Sequence, residues 1–197
     1  MLLYDNPISG NCYKVRLLLA MLGLDHERRE LSVFDRSDRA EVLGELNPGL
    51  RVPTLVLDDG RALGESGAIL LYLADQTEYI PADRFERAQM LQWMFFEQYS
   101  HEPYIAVLRF WAEAGIDPPA AELAAKRAGG EAALAAMERH LTGRRFFVAD
   151  SFSLADIALY AYTHVAHQGG FSLERYPAIG AWLARVAARP GHITIDD

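Results

Sequence analysis

The sequence predicts two halves of different class. Residues 1–75 read as an α/β domain of order βαβ, α, ββα, residues 76–84 as a linker, and residues 85–197 as an all-helical domain. Three observations predict this. Short apolar runs alternate with amphipathic helical stretches through the first part of the chain. An Asp59-Gly60 pair between two apolar runs is a strong hairpin signal. Beyond a polar, proline-containing stretch at Glu78–Asp83 the remaining signals are helical, and such a change of pattern marks a domain boundary.

The elements follow in order. Leu2-Leu3-Tyr4 is a short strand. Asn11 to Leu22 is a helix with Val15, Leu18, Leu19 and Leu22 on one face, ended by Gly23. Glu27 to Val33 is a second strand, and Ala40 to Leu46 a short helix closed by Asn47-Pro48-Gly49. Thr54 to Leu57 and Ala62-Leu63 form the hairpin, and Ser66 to Ala74 a third helix. In the second half, Phe85 to Phe110 reads as one long helix in which Pro103 is a candidate kink. Ala120 to Leu141 is an alanine-rich helix broken at Gly129-Gly130, and Ser153 to Ala166 and Ala178 to Ala188 are two more. Ser153 and Asp156 have the spacing of a capping box, and Phe152 and Ile157 that of a hydrophobic staple, which points to a folding role.

Composition narrows the function. At 197 residues and 51% hydrophobic content the chain is long enough for a substantial core. A net charge of −8 with scattered basic residues argues against nucleic-acid binding, which draws on basic patches. Arg28-Arg29 reads as a solvated strand edge. No apolar run is long enough to suggest a membrane span, and the first residues do not look like a signal peptide. A single cysteine, Cys12, excludes an internal disulfide and fits a reducing cytoplasm. Six dispersed histidines without cysteine partners give no metal site.

Three stretches suggest chemistry. Ser9 precedes the first helix, where orphan amides and the helix dipole favour negative charge, so its hydroxyl is placed either to cap the helix or to stabilise a thiolate brought by a ligand. Asn11 is equally able to cap, and its amide can also donate to a sulfur. Cys12 lies inside the first turn, either as a thiol for chemistry or as a small buried apolar group. Arg51-Val52-Pro53 precedes a strand, where a proline cannot join the ladder and an extended ligand has room to pair with Val52. Glu65-Ser66 heads a helix, which suits an α-amino acid end: amides and Ser66 for the carboxylate, Glu65 for the amino group. A simple helix cap is the structural alternative.

The stretches "SGNCYKVRLLL", "LNPGLRVPTLVLDDGRALGESGAILLYLA" and "SFSLADIALYAY", in this order, resemble the cytosolic glutathione S-transferases of the bacterial kind, over nearly the whole chain. The resemblance implies a thioredoxin-like first domain (βαβαββα) with an all-α second domain, glutathione as co-substrate, no metal, and a homodimer. Thioredoxin-like proteins carry Cys-x-x-Cys at the first turn. Here Ser9 stands at the first position, so the attacking sulfur arrives with glutathione. By resemblance Ser9 holds that sulfur, with Asn11 and Cys12 as further candidates. Val52, with Pro53 cis, pairs with the cysteinyl backbone, and Glu65 and Ser66 hold the γ-glutamyl end. Arg51 meets the glycine carboxylate, and Arg39 reaches the same group although "FDRSDRAEV" departs from the family pattern. A hydrophobic electrophile is expected against the first long helix, near Tyr99, His101, Tyr104 and Arg109. The expected function is conjugation. The alternatives are a glutathione-dependent disulfide reductase or peroxidase, and a non-catalytic glutathione-binding protein.

Overall fold

The computed structural model describes all residues, Met1–Asp197, and divides them into two compact units. Residues 1–77 and 190–197 form the first, and residues 78–189 the second. The segment 190–197, assigned by its sequence to the helical half, thus packs with the first unit. The reason is visible in its contacts: Ile195 is buried, and the backbone carbonyls of Ile193 and Ile195 accept bonds from Tyr13 and Arg16 of the first helix.

The first unit is a four-stranded mixed sheet. β1 (Leu2–Asp5) runs parallel to β2 (Glu27–Glu30) and antiparallel to β3 (Thr54–Val56), which pairs antiparallel with β4 (Ala62–Leu63), giving the order β2-β1-β3-β4. Strand alternation sorts its apolar residues onto two faces. Leu3 and Leu55 pack with Val15 and Leu19 of α1 (Gly10–Leu22) and Ile69 of α3 (Ser66–Leu73). Tyr4 packs on the other face with Leu31 and Leu43 of α2 (Arg39–Leu43), joined by Leu2 and Val56. α1 ends as expected at Gly23, which adopts φ 63° and returns its N–H to the last turn. β2 is shorter than its sequence suggests and exposed throughout. Its Arg28 bonds Asp5 and its Arg29 lies over the Tyr4 ring, so a charged edge strand is also tied to the sheet.

The second unit is helical. The long helix expected over residues 85–110 is three pieces: α4 (Arg84–Phe96), a π-turn (Glu97–His101) and α5 (Glu102–Glu113). Pro103 lies in the first turn of α5, where the lack of an N–H costs nothing, and the wider π-turn absorbs the join. The expected break at Gly129-Gly130 is absent: α6 (Ala120–Leu141) runs through it. A β-carbon at Gly129 would stand 2.3 Å from the Tyr104 ring, and one at Gly130 2.3 Å from that of Phe171. These glycines therefore serve close packing rather than a bend. α7 (Leu154–Thr163) is buried at every residue, and a 3-10 turn (Ala166–Gly169) and α8 (Pro177–Ala187) follow. The capping box at its head is formed, with the Asp156 carboxylate accepting the Ser153 N–H at 2.9 Å. The same carboxylate accepts Trp182 Nε1–H at 2.9 Å and the Phe147 N–H at 3.3 Å. No helix is long and apolar enough to cross a membrane.

Candidate functional site

The first unit gathers most of the singled-out residues at the heads of two helices and one loop. Ser9 is the N-cap of α1: its Oγ accepts the Cys12 N–H at 3.3 Å, and its own N–H bonds the Asn6 carbonyl at 3.1 Å. A serine oxygen that accepts still has its hydroxyl proton to donate, so capping and thiolate binding do not compete. Asn11 in the same turn receives the Lys14 ammonium at 2.8 Å and the Ser66 hydroxyl at 3.4 Å on its Oδ1. That contact brings the heads of α1 and α3 together.

Glu65, the residue before α3, is exposed and has φ 62° with no side-chain cap bond. A non-glycine residue in this region holds its side chain in an uncommon direction at a cost of about 1–3 kcal/mol, a feature that clusters at ligand sites. On the other side of the strand pair, the Arg51 carbonyl accepts the Asn47 amide at 3.1 Å and the Thr54 hydroxyl at 2.8 Å. Asn47 Nδ2 also reaches Thr54 Oγ1 at 2.9 Å, and its Oδ1 takes the Gly49 N–H at 2.9 Å. A β-carbon on Gly64 would lie 2.7 Å from that same amide. Asn47 thus ties the Arg51–Thr54 loop to the residue before Glu65. The sequence shows Asn47 only as part of a turn. Its reach into the loop depends on a close approach across the chain that has no local signature.

The Val52–Pro53 peptide bond is cis. Val52 precedes β3 and so stands outside the sheet ladder, and Arg51 is exposed beside it. From Asn11 through Ser66, Glu65, Gly64 and Asn47 to Arg51, contacts and adjacent residues form one connected set in the first unit, and it starts in the helix turn that Ser9 caps. With Ser9 it includes a hydroxyl at a helix head, a second hydroxyl at a helix head, an exposed carboxylate and an exposed guanidinium.

Several candidates are placed elsewhere. Cys12 is fully buried, and burial, with the negative field of Asp5, pushes its thiol up to about 12, against a smaller opposing pull from the Ser9 hydroxyl. Its sulfur is packed in the core, away from ligands and held in the thiol form. Arg39 is 3% exposed, with its guanidinium on the carbonyls of Ser32 and Leu50. It braces the loop before β3 and does not reach out to a ligand. Of the four residues expected to line an electrophile pocket, Tyr99 alone is largely exposed, at 84%. His101 is fully buried and meets Thr163 of α7 at 2.9 Å. Tyr104 lies on Gly129 of α6 with the Lys126 ammonium 5.5 Å from its ring centroid. Arg109 donates to Gln168 of the 3-10 turn. The π-turn before α5 sets this phase, which turns the three residues into the helical unit's own packing.

The family profile for the "Glutathione S-transferase, N-terminal domain" matches residues 3–81, and that for the "Glutathione S-transferase, C-terminal domain" matches residues 89–190. The chain is 29% identical to glutathione S-transferase 2 of Anopheles gambiae, covering 95% of this chain and 91% of that protein. It is 25% identical to the disulfide-bond oxidoreductase YfcG of Escherichia coli, over 95% and 90% of the two chains. A crystal structure of a glutathione S-transferase from Pseudomonas fluorescens superposes with a TM-score of 0.94 at 45% identity, covering 100% of this chain and 98% of that one. With a thioredoxin-like sheet unit, a helical unit and both family domains in sequence, the chain belongs to the glutathione S-transferase family.

Proposed function

We propose that the protein is a glutathione transferase of the serine type, which binds glutathione in the first unit, stabilises its thiolate at Ser9 and transfers the sulfur to a hydrophobic electrophile. The observation that carries the reading is the Ser9 hydroxyl at the head of α1, with its oxygen accepting the Cys12 amide at 3.3 Å. Glutathione then lies across these residues, with its sulfur at Ser9. Ser66 and the head of α3 take the γ-glutamyl carboxylate, Glu65 the amino group, the Val52 backbone the cysteinyl unit beside Pro53, and Arg51 the glycine carboxylate. Asn11 holds Ser66 and the sulfur pocket in register. Cys12 and Arg39 serve the scaffold.

The energetics match the task. Lowering a thiol pKa by about two units takes roughly 3 kcal/mol of preference for the anion. A hydrogen bond to an ion supplies about 1.5–3 kcal/mol, and a helix head adds about 0.3–1 kcal/mol. The proton leaves to solvent, the sulfur lone pair forms the new S–C bond, and the electrophile's leaving group or π-electrons take up the charge.

The name of the YfcG relative supports a second reading, disulfide reduction with the same activated sulfur. It would proceed without a protein thiol, since Cys12 is sealed in the core. We further propose a cytoplasmic homodimer. Phe85, Ala88, Phe95 and Tyr99 form an exposed stripe at helical spacing along α4 and the π-turn, with the three aromatics 70%, 68% and 84% exposed. A stripe of this kind suits a second copy of the chain. A monomer mass by light scattering would refute the pairing.

The deciding experiment is a pH titration of the thiolate ultraviolet absorbance of bound glutathione. A midpoint well below that of free glutathione is expected, and it should return towards the free value in Ser9→Ala with affinity little changed. Ser66→Ala should instead weaken binding and leave the midpoint in place. Binding without any shift in the wild type would refute thiol activation. Turnover with 1-chloro-2,4-dinitrobenzene against turnover with a small disulfide then separates the two readings.

A further inference from the structure

Residues 190–197 return to the first unit and end against the segment that carries Ser9. Arg16 of α1, 2% exposed, is the connecting piece. One guanidinium nitrogen donates to Asp5 Oδ1 at 2.8 Å and to the Asn6 carbonyl at 3.2 Å. The other donates to the Pro7 carbonyl at 3.1 Å and to the Ile195 carbonyl at 2.7 Å. The Asn6 carbonyl is also the acceptor of the Ser9 N–H, at 3.1 Å. A second path runs in parallel: Arg28 bonds Asp5 Oδ2 at 2.8 Å and the Asp197 carbonyl at 2.5 Å. The segment is itself built to stay in place. Ile195 is 6% exposed, the Tyr13 hydroxyl donates to the Ile193 carbonyl at 2.7 Å, and the Asp197 carboxylate accepts from the Thr194 N–H and hydroxyl at 2.7 and 2.8 Å.

We propose that residues 190–197 are a strut that positions Ser9, acting through Arg16 on the carbonyls of Asn6 and Pro7. Arg16 is a positioning residue and touches no ligand. A planar guanidinium is the side chain that can span four acceptors on two separate segments at once. Two of its acceptors lie in the loop leading to Ser9, so their spacing from α1 is fixed while the Ile195 carbonyl holds the far side of the fork. The Ile195 carbonyl is the closest of the four acceptors, so losing it lets the guanidinium shift towards the remaining three, carrying the Asn6 and Pro7 carbonyls with it. The Ser9 hydroxyl then loses its aim at the sulfur, while Val52, Glu65 and Ser66, on other elements, keep theirs.

The inference rests on the thiol-activating role given to Ser9 above, so the wild-type titration comes first: no shift there would refute that role, whereas the following comparison addresses the strut alone. A variant lacking residues 192–197 is checked for folding by circular dichroism, and bound glutathione is titrated again. The expected result is a midpoint raised by about half a pH unit or more, with glutathione affinity within about twofold of wild type, a split that general loosening would not give. Ile195→Gly, which removes the buried anchor and leaves the backbone, should move the midpoint the same way by less. It decides the matter if the deletion does not fold. A midpoint unchanged in a folded variant, or a loss of affinity that matches the change in midpoint, would overturn the proposal.

Discussion

Gly64 shows how much of the site depends on single atoms. Its α-carbon faces the Asn47 amide so closely that an added methyl would overlap nitrogen, carbon and oxygen of that group at 2.7–2.9 Å. Asn47 is 8% exposed and already bonded to Arg51, Thr54 and Gly49, so it has nowhere to go. Gly64→Ala should therefore push the Arg51–Thr54 loop away from Glu65 and weaken glutathione binding about tenfold, measured by calorimetry, at a stability cost of about 1–3 kcal/mol. Cys12 offers a contrasting test. With its thiol pushed up to about 12 by burial, it should resist a disulfide reagent at pH 8 roughly a thousandfold better than an exposed cysteine, and react once the protein is unfolded in urea. Ready labelling in the folded state would show that the first turn opens. The pairing of Ser9 with a helix head was legible in the residues, because capping is local. The burial of Cys12 was one of the two readings its place in the first turn offered, whereas that of Arg39 was not legible, because it is decided by segments far away in sequence.

At the scale of elements, the same reasoning explains what sequence pattern could and could not reach. The order βαβ, α, ββα followed from local periodicity and from Asp59-Gly60, and the sheet has it. The two helical misreadings share one cause. Gly129-Gly130 and Pro103 are residues that break isolated helices, yet each is used for something a single helix does not reveal: the glycines admit the rings of Tyr104 and Phe171, and the proline opens α5 behind a π-turn. Gly129→Ala is the sharpest test. By helix propensity alone the substitution should stabilise by about 1 kcal/mol. With the Tyr104 ring 2.3 Å from the new β-carbon it should instead destabilise by about 1–3 kcal/mol, read from urea unfolding. A rise in stability would mean that α5 and α6 pack less closely than described. The residues expected at the electrophile wall show the same dependence on distant segments. Polar tips on an apolar helix look like pocket residues in sequence, but the π-turn rotates His101, Tyr104 and Arg109 towards α7, α6 and the 3-10 turn.

For the whole molecule, stability should carry a signature of the buried carboxyl at the head of α7. Burial pushes Asp156 up to about 6, against the downward pull of Trp182, Ser153 and Phe147. Its folded value is thus above the unfolded one of about 3.9, and the native state holds the proton more tightly. The contribution to stability is full below about pH 4 and is lost as pH rises through 6, by on the order of 3 kcal/mol. Asp156→Asn has no such proton, so the stability difference between wild type and variant should move in favour of the variant between pH 4 and 7. A difference that stays flat across that range would place the titration elsewhere. The return of residues 190–197 to the sheet unit also has a consequence for how the protein is made. The first unit is discontinuous in the chain, and the piece that closes it lies beyond the entire helical unit. On the ribosome the sheet and its helices emerge early, with Arg16 and Arg28 able to bond residues 5–7 but without their bonds to Ile195 and Asp197 until that segment follows. The helical unit, residues 78–189, is contiguous and can fold as it appears. Synthesis order and completion order are therefore opposed: the first unit starts to emerge first, yet gains residues 190–197 only after the whole helical unit has been made.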